Sequence, residues 1–395
     1  MSANQILVAN IGSTSFKFRL IEMPSERVLA VGGMDRIGSA ESTFKYRLGS
    51  EPELKGTAAF PDYSAAIAFV EKILGGFGQL AAVGFKPVMA RGISGTQVLD
   101  ETVLRAMEEV NTLLPAHNPP YIAAVRSFHA CHPELPCVGT FETAFYDHLP
   151  AHNRRYPIPL EWETQYGVRR YGFHGASHRY VTQRAAELRG SVGRFISCHL
   201  GGSSSIACVR DGVAINSSWG MTPQSGLPQN NRVGDIDVFA LIYLARDLGL
   251  GIDAVEKVLT KESGLKGLSG LDSGDIRDIV AAAKAGNENA AIALDVLAAS
   301  VRKYIGSFLV EMNGADCLIF TAGIGENETP LREKICADLS FCGLELDLEA
   351  NRATFHGKES VISTPGSKIE VRVIPTNEEI IIARNAWQKL SKTQA

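Results

Sequence analysis

Apolar and polar positions alternate along the chain in a way that separates strand-like from helix-like stretches. Two apolar hairpins organise the rest. In Ile6–Leu20, ILVANIGSTSFKFRL, the segments Ile6–Asn10 and Phe16–Leu20 predict paired strands across a Gly/Ser turn. Ile196–Val209, ISCHLGGSSSIACV, repeats the layout, and Asn10-Ile11-Gly12-Ser13-Thr14-Ser15 lies over His199-Leu200-Gly201-Gly202-Ser203-Ser204 with like opposite like. Residues 27–60 read as further strands with polar turns. After Pro61-Asp62, the spacing of Tyr63, Ile67, Val70 and Leu74 predicts a helix that Gly75-Gly76 ends. Ala81–Phe85 is a short apolar strand broken by Lys86-Pro87. Val103, Met107, Val110 and Leu114 predict a helix from Asp100 to Leu114. His117-Asn118-Pro119-Pro120 interrupts it, because proline lacks a donor and disfavours the α conformation before it, and a helix restarts near Tyr121. Cys137–Phe141 reads as a buried strand with Glu142 at its C-terminal end.

Residues 147–167 carry three prolines and mixed polarity, which predicts a domain boundary. Tyr171–His178 leads into a helix ending at Arg189-Gly190. Beyond the second hairpin come a polar loop, Met221–Gly234, a helix over Asp237–Leu248 stopped by Gly249, and several helices in 253–313. Cys317–Thr321 is a strand, Ala322–Asn327 a glycine turn opening a helix, Ile369–Pro375 a strand and Asn377–Leu390 a final helix. Each half begins with a hairpin and continues with mixed helices and strands, an α/β pattern.

The length of 395 residues favours two domains, and 45% hydrophobic with 21% charged residues suits a globular protein with sizeable cores. A net charge of −4 gives no basic footprint for nucleic acid. The seven cysteines include no C-x-x-C pair, which predicts reduced core thiols and a cytoplasmic setting. MSANQILVANIG lacks the basic and apolar regions of a signal peptide, and Asp295, Arg302 and Lys303 break the apolar run Ala291–Val310, against a membrane span.

The candidate chemistry lies in the turns. Glycine permits close backbone approach, and serine hydroxyls with peptide N–H groups suit phosphate oxygens, so two such hairpins suggest related halves facing a polyphosphate. Singly, each also fits an ordinary turn. Ala322-Gly323-Ile324-Gly325-Glu326-Asn327 would present N–H groups at a helix start, where partial positive charge favours phosphate; it is not the dinucleotide fingerprint G-x-G-x-x-G. Arg232, in Asn231–Asp237, offers a fork matched to phosphoryl oxygens, or else caps a surface turn. His117 and His174 sit in rigid or aromatic settings suited to hydrogen-bond donation or proton transfer. His129, His132, His148 and His152 read as solvated or structural. His174 and His178 lack the adjacent Glu of a zinc protease motif. Glu142 and Glu378-Glu379 at strand–helix junctions suit Mg²⁺, which needs one or two carboxylates; Glu378 and Glu379 equally suit a helix N-terminus.

Together these stretches resemble the acetate kinase family of the actin/hexokinase/Hsp70 superfamily. The matching pieces are NIGSTSFKF, HNPP, FETAF, RRYGFHGASH, CHLGGSSSI, MTPQSGL, NRVGDID, SGDIRD, FTAGIGEN and IPTNEEIIIAR, in order from Asn10 to Arg384. The resemblance implies two duplicated actin-like (ribonuclease H-like) β/α domains with an ATP cleft between them. The first would be 1–147 joined by a returning C-terminal helix, 380–395, and the second 148–379, usually in a homodimer. It implies that Asn10, Ser13, Ser15 and Lys17 line one phosphate loop and Gly201, Gly202 and Ser203 the other. Arg232, His117 and His174 would hold the phosphoryl group, with Lys86 and Glu142 also catalytic. Asn10 and Glu378 would hold Mg²⁺ or Mn²⁺. Asp275, Ile276, Arg277 and Gly323, Ile324, Gly325, Glu326, Asn327 would hold the adenosine of ATP or ADP. Val88, Ala116, Phe173 and Pro223 would line the pocket for a small carboxylic acid.

The chain departs from the family in places. The usual H-R-V-V-H-G-G is Phe85-Lys86-Pro87-Val88-Met89-Ala90-Arg91, so a substrate-binding arginine becomes Lys86, with Arg91 a possible partial replacement. F-D-T-A-F becomes FETAF with Glu142, G-N-G becomes Gly201-Gly202-Ser203, and the leucine before H-N-P-P becomes Ala116. Three expectations follow. The first is ATP-dependent phosphorylation of an acetate-like acid to an acyl phosphate. The second is the same chemistry on propionate, butyrate or a hydroxy acid, motivated by Ala116 and Lys86. The third is a non-catalytic nucleotide-binding homologue, motivated by the lost arginine and the altered second loop.

Overall fold

The computed structural model describes residues 3–393 apart from Ala116. The chain divides into two compact units, Met1–Asp147 with Asn377–Ala395, and His148–Thr376.

In the first unit the opening hairpin is β1 (Gln5–Gly12) and β2 (Ser15–Glu22), closed by the two-residue loop Ser13-Thr14. β3 (Arg27–Asp35), β4 (Ser42–Leu48) and β5 (Leu54–Ala58) extend the meander. β6 (Leu80–Phe85) and β8 (Cys137–Thr140) then add in parallel beside β1, and the short β7 (Thr96–Val98) pairs antiparallel with β8. The sheet order is β5-β4-β3-β2-β1-β6-β8-β7. Helix Tyr63–Leu74 packs Ala66, Ile67 and Val70 into the core; Asp62 caps its start by accepting from Ala65 N, and Gly75 at φ 74° ends it. That core also takes Leu7, Phe16, Phe85 and Phe128. The C-terminal helix Glu378–Thr393 buries Ile380, Ile381, Ile382 and Ala383 and lies close to β6. Gly84 permits that approach, because a Cβ there would stand 2.9 Å from Ile382 Cγ2.

The second unit repeats the central topology. β9 (Arg194–Leu200), β10 (Ser204–Arg210) and β11 (Val213–Ser217) form the antiparallel meander, and β12 (Cys317–Thr321) and β14 (Glu370–Val373) add in parallel beside β9. With β13 (Ser360–Val361) the order is β11-β10-β9-β12-β14-β13. β3-β2-β1-β6-β8 of the first sheet thus corresponds to β11-β10-β9-β12-β14 of the second, three antiparallel strands beside two parallel ones. The 24-residue helix Glu288–Glu311 supplies Ala293, Leu297, Val301, Ile305 and Phe308 to the second core.

Three local expectations change. The helix expected over Asp100–Leu114 spans Glu101–Glu108, followed by turns, although Val110 and Leu114 remain buried. The apolar period foretold burial there but not backbone conformation. The next helix starts at Asn118, before the prolines, not at Tyr121. Pro119 and Pro120 fit its first turn because N–H groups there have no intrahelical acceptor. Ala322–Asn327 is already helical, with Ala322 at φ 66° as its first residue.

Candidate active site

Several of the candidate side chains stand where parallel strands end, the usual ligand-facing edge of an open α/β sheet. In the first unit, Lys86 follows β6, Glu142 follows β8 in the short 3₁₀ helix Glu142–Tyr146, and Glu378 opens the C-terminal helix. These residues, far apart in sequence, converge. Lys86 Nζ donates to Glu142 Oε1 at 2.7 Å and to Glu378 Oε2, and all three side chains are at most 15% exposed. Burial by itself lowers the Lys86 pKa, but the carboxylates of Glu142 and Glu378 outweigh it and hold the ammonium well above the ordinary lysine range. Tyr121, its phenol pushed up to about 12 chiefly by burial, donates to Asn10 Oδ1 at 3.3 Å. Asn10 faces Lys17 across the hairpin, while Ser13 and Lys17 are exposed and Ser15 is half-buried. Tyr63 OH fixes the turn by donating to Gly12 O at 2.6 Å.

Asn377 and Glu379, flanking Glu378, are held by Arg19, whose Nη1 donates to Asn377 Oδ1 at 2.9 Å and lies 3.8 Å from Glu379 Oε2. His117 stands at the N-cap position of the helix Asn118–Cys131, next to Asn118, whose buried amide donates to Met89 O and Met107 O. Val88 is buried. Arg91 does not join Lys86 at the carboxylate pair; it is largely exposed and pairs with Glu109 Oε2 at 3.6 Å. Ala116 lies outside the described residues.

In the second unit, His174 precedes the helix Gly175–Arg189 in the left-handed conformation, φ 55°. Its ring stacks on His199 with centroids 3.8 Å apart and lies 4.3 Å from Trp219, which also packs edge-on against Phe173. Serine hydroxyls connect these rings. Ser205 Oγ bridges His174 Nδ1 at 2.9 Å and His178 Nε2 at 2.8 Å, and Ser197 Oγ meets His178 Nδ1 at 2.8 Å. Ser177 Oγ joins His199 Nδ1 to Thr376 Oγ1, both at 2.8 Å. His178 is fully buried, and burial, then the neighbouring His199, lower its pKa well below the ordinary value. The His178 network was not foreseen from sequence. Serines at Ser197 and Ser205 in otherwise apolar strands, with histidines i and i+4 on a nearby helix, were the available signal.

Arg232 reaches the second hairpin's loop, Gly201-Gly202-Ser203, one residue longer than its counterpart. Its Nη1 donates to Ser203 Oγ at 3.3 Å and Gln229 Oε1 at 3.2 Å. Among the described residues no carboxylate lies within ion-pair distance of this half-buried guanidinium. Burial lowers its pKa. Backbone packs tightly behind it: Gly264, at φ 63°, would place a Cβ 2.1 Å from Gln229 O and 2.6 Å from Arg232 O. Pro223 is buried, its carbonyl accepting from Gln229 Nε2.

The expected adenosine residues divide in two. Asp275 caps the helix Ile276–Lys284 and pairs with Arg277 at 2.7 Å, which lowers its carboxyl to about 2. Ile276 is buried and lines a cavity of about 270 Å³ with Val280, Ala283, Glu328 and Leu331. In the helix Ala322–Asn327, Glu326 Oε1 accepts from Ala322 N and Thr376 N, and Asn327 Nδ2 donates to Gly323 O. Those side chains brace the local backbone. Gly323 is exposed, while Ile324 and Gly325 are buried. Fully buried Arg332, with no sequence signal to mark it, donates to Gly325 O at 2.8 Å and to Asn351 and Thr354. Burial lowers its pKa to about 10.

Comparison with known proteins gives a consistent match. The Acetokinase family profile covers residues 5–384. An acetate kinase of Shouchella clausii (strain KSM-K16) is 42% identical over 96% of this chain and 98% of its own. The crystal structure of Porphyromonas gingivalis acetate kinase aligns with a TM-score of 0.89 at 37% identity, covering 98% of this chain and 99% of that one. A propionate kinase from Francisella tularensis subsp. tularensis SCHU S4 gives 0.90 at 31%, covering 98% and 99%.

Proposed function

The chain belongs to the acetokinase family, and from that premise we propose how its residues divide the work. It is a phosphotransferase that moves the γ-phosphoryl group of ATP to the carboxyl group of a short-chain acid, giving an acyl phosphate and ADP. The acceptor is already ionised near neutral pH, so no general base is needed, and catalysis consists of positioning and charge stabilisation. Arg232 neutralises the charge spreading over the phosphoryl oxygens, and His174, held by Ser205, donates a hydrogen bond to them. His117 is assigned the same role. The two Gly/Ser loops, Ser13–Ser15 with Lys17 and Gly201–Ser203, hold the phosphates. Asp275–Arg277 and Gly323–Asn327 hold adenosine. Val88, Phe173 and Pro223 contact the acid's alkyl group, as Ala116 would.

The observation carrying this reading is Arg232: a half-buried cation beside a Gly/Ser turn, bonded only to neutral acceptors in the described hydrogen bonds, is set for an anionic ligand. Glu378 and Glu142 offer hard oxygens that converge on one point, and Asn10 an amide oxygen, a donor set suited to Mg²⁺ or Mn²⁺ completed by water and phosphate. When bound, the metal neutralises phosphate charge. Hydroxamate trapping with ATP, Mg²⁺ and a panel of acetate, propionate, butyrate and hydroxy acids tests the reading. Acyl hydroxamate is expected, and it eliminates a purely nucleotide-binding role. Lys86 in place of the family's arginine motivates a larger or more polar acceptor, which a clear optimum at acetate would refute.

The protein is further proposed to be a homodimer. Helix Val238–Asp247 has no buried residue, and Val238, Phe239 and Tyr243 are 60%, 71% and 62% exposed, an apolar face suited to a second copy. Sedimentation of the wild type and of Phe239→Glu tests this; a monomeric wild type overturns it. All seven cysteines are free thiols, in keeping with the reducing cytoplasm, and no described helix is long and apolar enough to cross a membrane.

A further inference from the structure

The acidic pair that suits a divalent cation already holds a cation of the chain's own. Lys86 Nζ touches Glu142 Oε1 at 2.7 Å and also Glu378 Oε2. The three side chains are 15%, 7% and 15% exposed, so water screens little of the attraction. A lysine suits this role because its charge is a compact point on a flexible four-carbon stem, whereas an arginine's planar fork commits to one geometry. With the ammonium in place, a divalent cation would meet a like charge and carboxylates already engaged.

We propose that Lys86 is an internal counter-ion occupying the divalent-cation position, and that it must leave the two carboxylates before a metal binds there. The displaced ammonium then serves the acceptor's carboxylate. This rests on the carboxylate kinase reading and adds to it a coupling between two ligands. The acid draws Lys86 out of the acidic pair and frees the pair for the metal; the metal expels Lys86 and frees it for the acid. Linkage requires each ligand to tighten the other by the same factor. Lys86 is therefore a positioning residue for the metal as well as a contact for the acid. Arg91 pairs instead with Glu109.

The test is a titration of the nucleotide-free protein with Mn²⁺ alone, followed by electron paramagnetic resonance of the free ion. Saturating acetate or propionate is expected to tighten Mn²⁺ binding to the wild type by about tenfold. Lys86→Met is expected to bind Mn²⁺ tightly without acid and to lose the acid's effect, and Glu378→Gln to abolish tight binding in both backgrounds. Unchanged Mn²⁺ affinity on adding acid to the wild type overturns the proposal, as does tight Mn²⁺ binding that survives Glu378→Gln. If Lys86→Met does not fold by circular dichroism, the wild-type coupling alone decides. Hydroxamate formation without coupling defeats this inference and leaves the kinase reading standing; coupling without hydroxamate does the reverse.

Discussion

The two sheets share a strand order but end differently. At the carboxyl ends of β6 and β8 the first unit presents full charges, Lys86 and Glu142, joined by Glu378. At the equivalent ends of β12 and β14 the second unit presents helix-start backbone at Ala322–Gly323 and the Thr376 hydroxyl, linked through Ser177 to His199. Arg232, to which we assign the phosphoryl group, comes from a loop outside the sheet. The turns differ too: two residues close the first hairpin, three the second. A duplicated scaffold thus fixes where functional groups stand without fixing their chemistry. The first unit ends in a lysine between two carboxylates, the second in hydroxyls, ring nitrogens and helix-start backbone, with Arg232 bonded to Ser203 and Gln229.

The sharpest way to break this contrast is Arg232→Ala. If Arg232 acts on the transferring group, turnover falls by about 10³–10⁵-fold, the range known for single arginines in phosphoryl transfer, while calorimetry still detects ADP binding. Near-normal turnover would remove Arg232 from the mechanism. Next is the charged cluster of the first unit. Lys86→Ala strands two nearly buried carboxylates and is expected to cost about 3–5 kcal/mol in urea unfolding, as for other broken buried pairs. A loss below about 1 kcal/mol would mean the cluster behaves as an exposed ion pair.

The histidine network gives a pH test. His178 has a folded pKa depressed by burial, so the unfolded chain takes up its proton first as pH falls. Its contribution is fully present above the unfolded value of about 6.5 and is lost as pH drops toward the folded value. Melting temperature should therefore fall from pH 7 to pH 5, and His178→Gln should flatten that dependence; an equally steep variant would place the effect elsewhere. The smallest effect is expected for Arg19→Ala, which removes one hydrogen bond to Asn377 and a longer contact to Glu379 beside Glu378. A loss of about 0.5–1.5 kcal/mol, with a raised Mg²⁺ requirement in the hydroxamate assay, is expected. An unchanged metal requirement would show that Glu378 is positioned without it.

Much of this was legible along the chain because hairpins, caps and glycine turns are local. Asp62, Gly75, Gly190 and the paired hairpins could be read from neighbours in sequence. Other features were not. The apolar period through Val110 and Leu114 implied a longer helix, yet turns bury those side chains equally well. Pro119-Pro120 marked a break, but whether prolines precede a helix or open it depends on what the first turn packs against; here buried Asn118 anchors it to Met89 and Met107. Glu326 was read only as part of the turn expected to hold adenosine, but its carboxylate braces the backbone of Ala322 and Thr376, whereas Glu378 pairs with Lys86.

The amino-acid sequence by itself determined the alternation of strands and helices, the duplicated hairpins and the family, because these depend on residue type and short-range spacing. Tertiary structure decided the company each charge keeps. Lys86, Glu142 and Glu378 meet only because β6 and β8 lie in one sheet and the last helix starts beside their ends. His178 has a lowered pKa chiefly because folding removes it from water, and Arg91 pairs with Glu109 at the surface because of where the chain places the two. Electrostatic interactions act through space and depend on burial, so a chain read residue by residue carries the charges but not their partners.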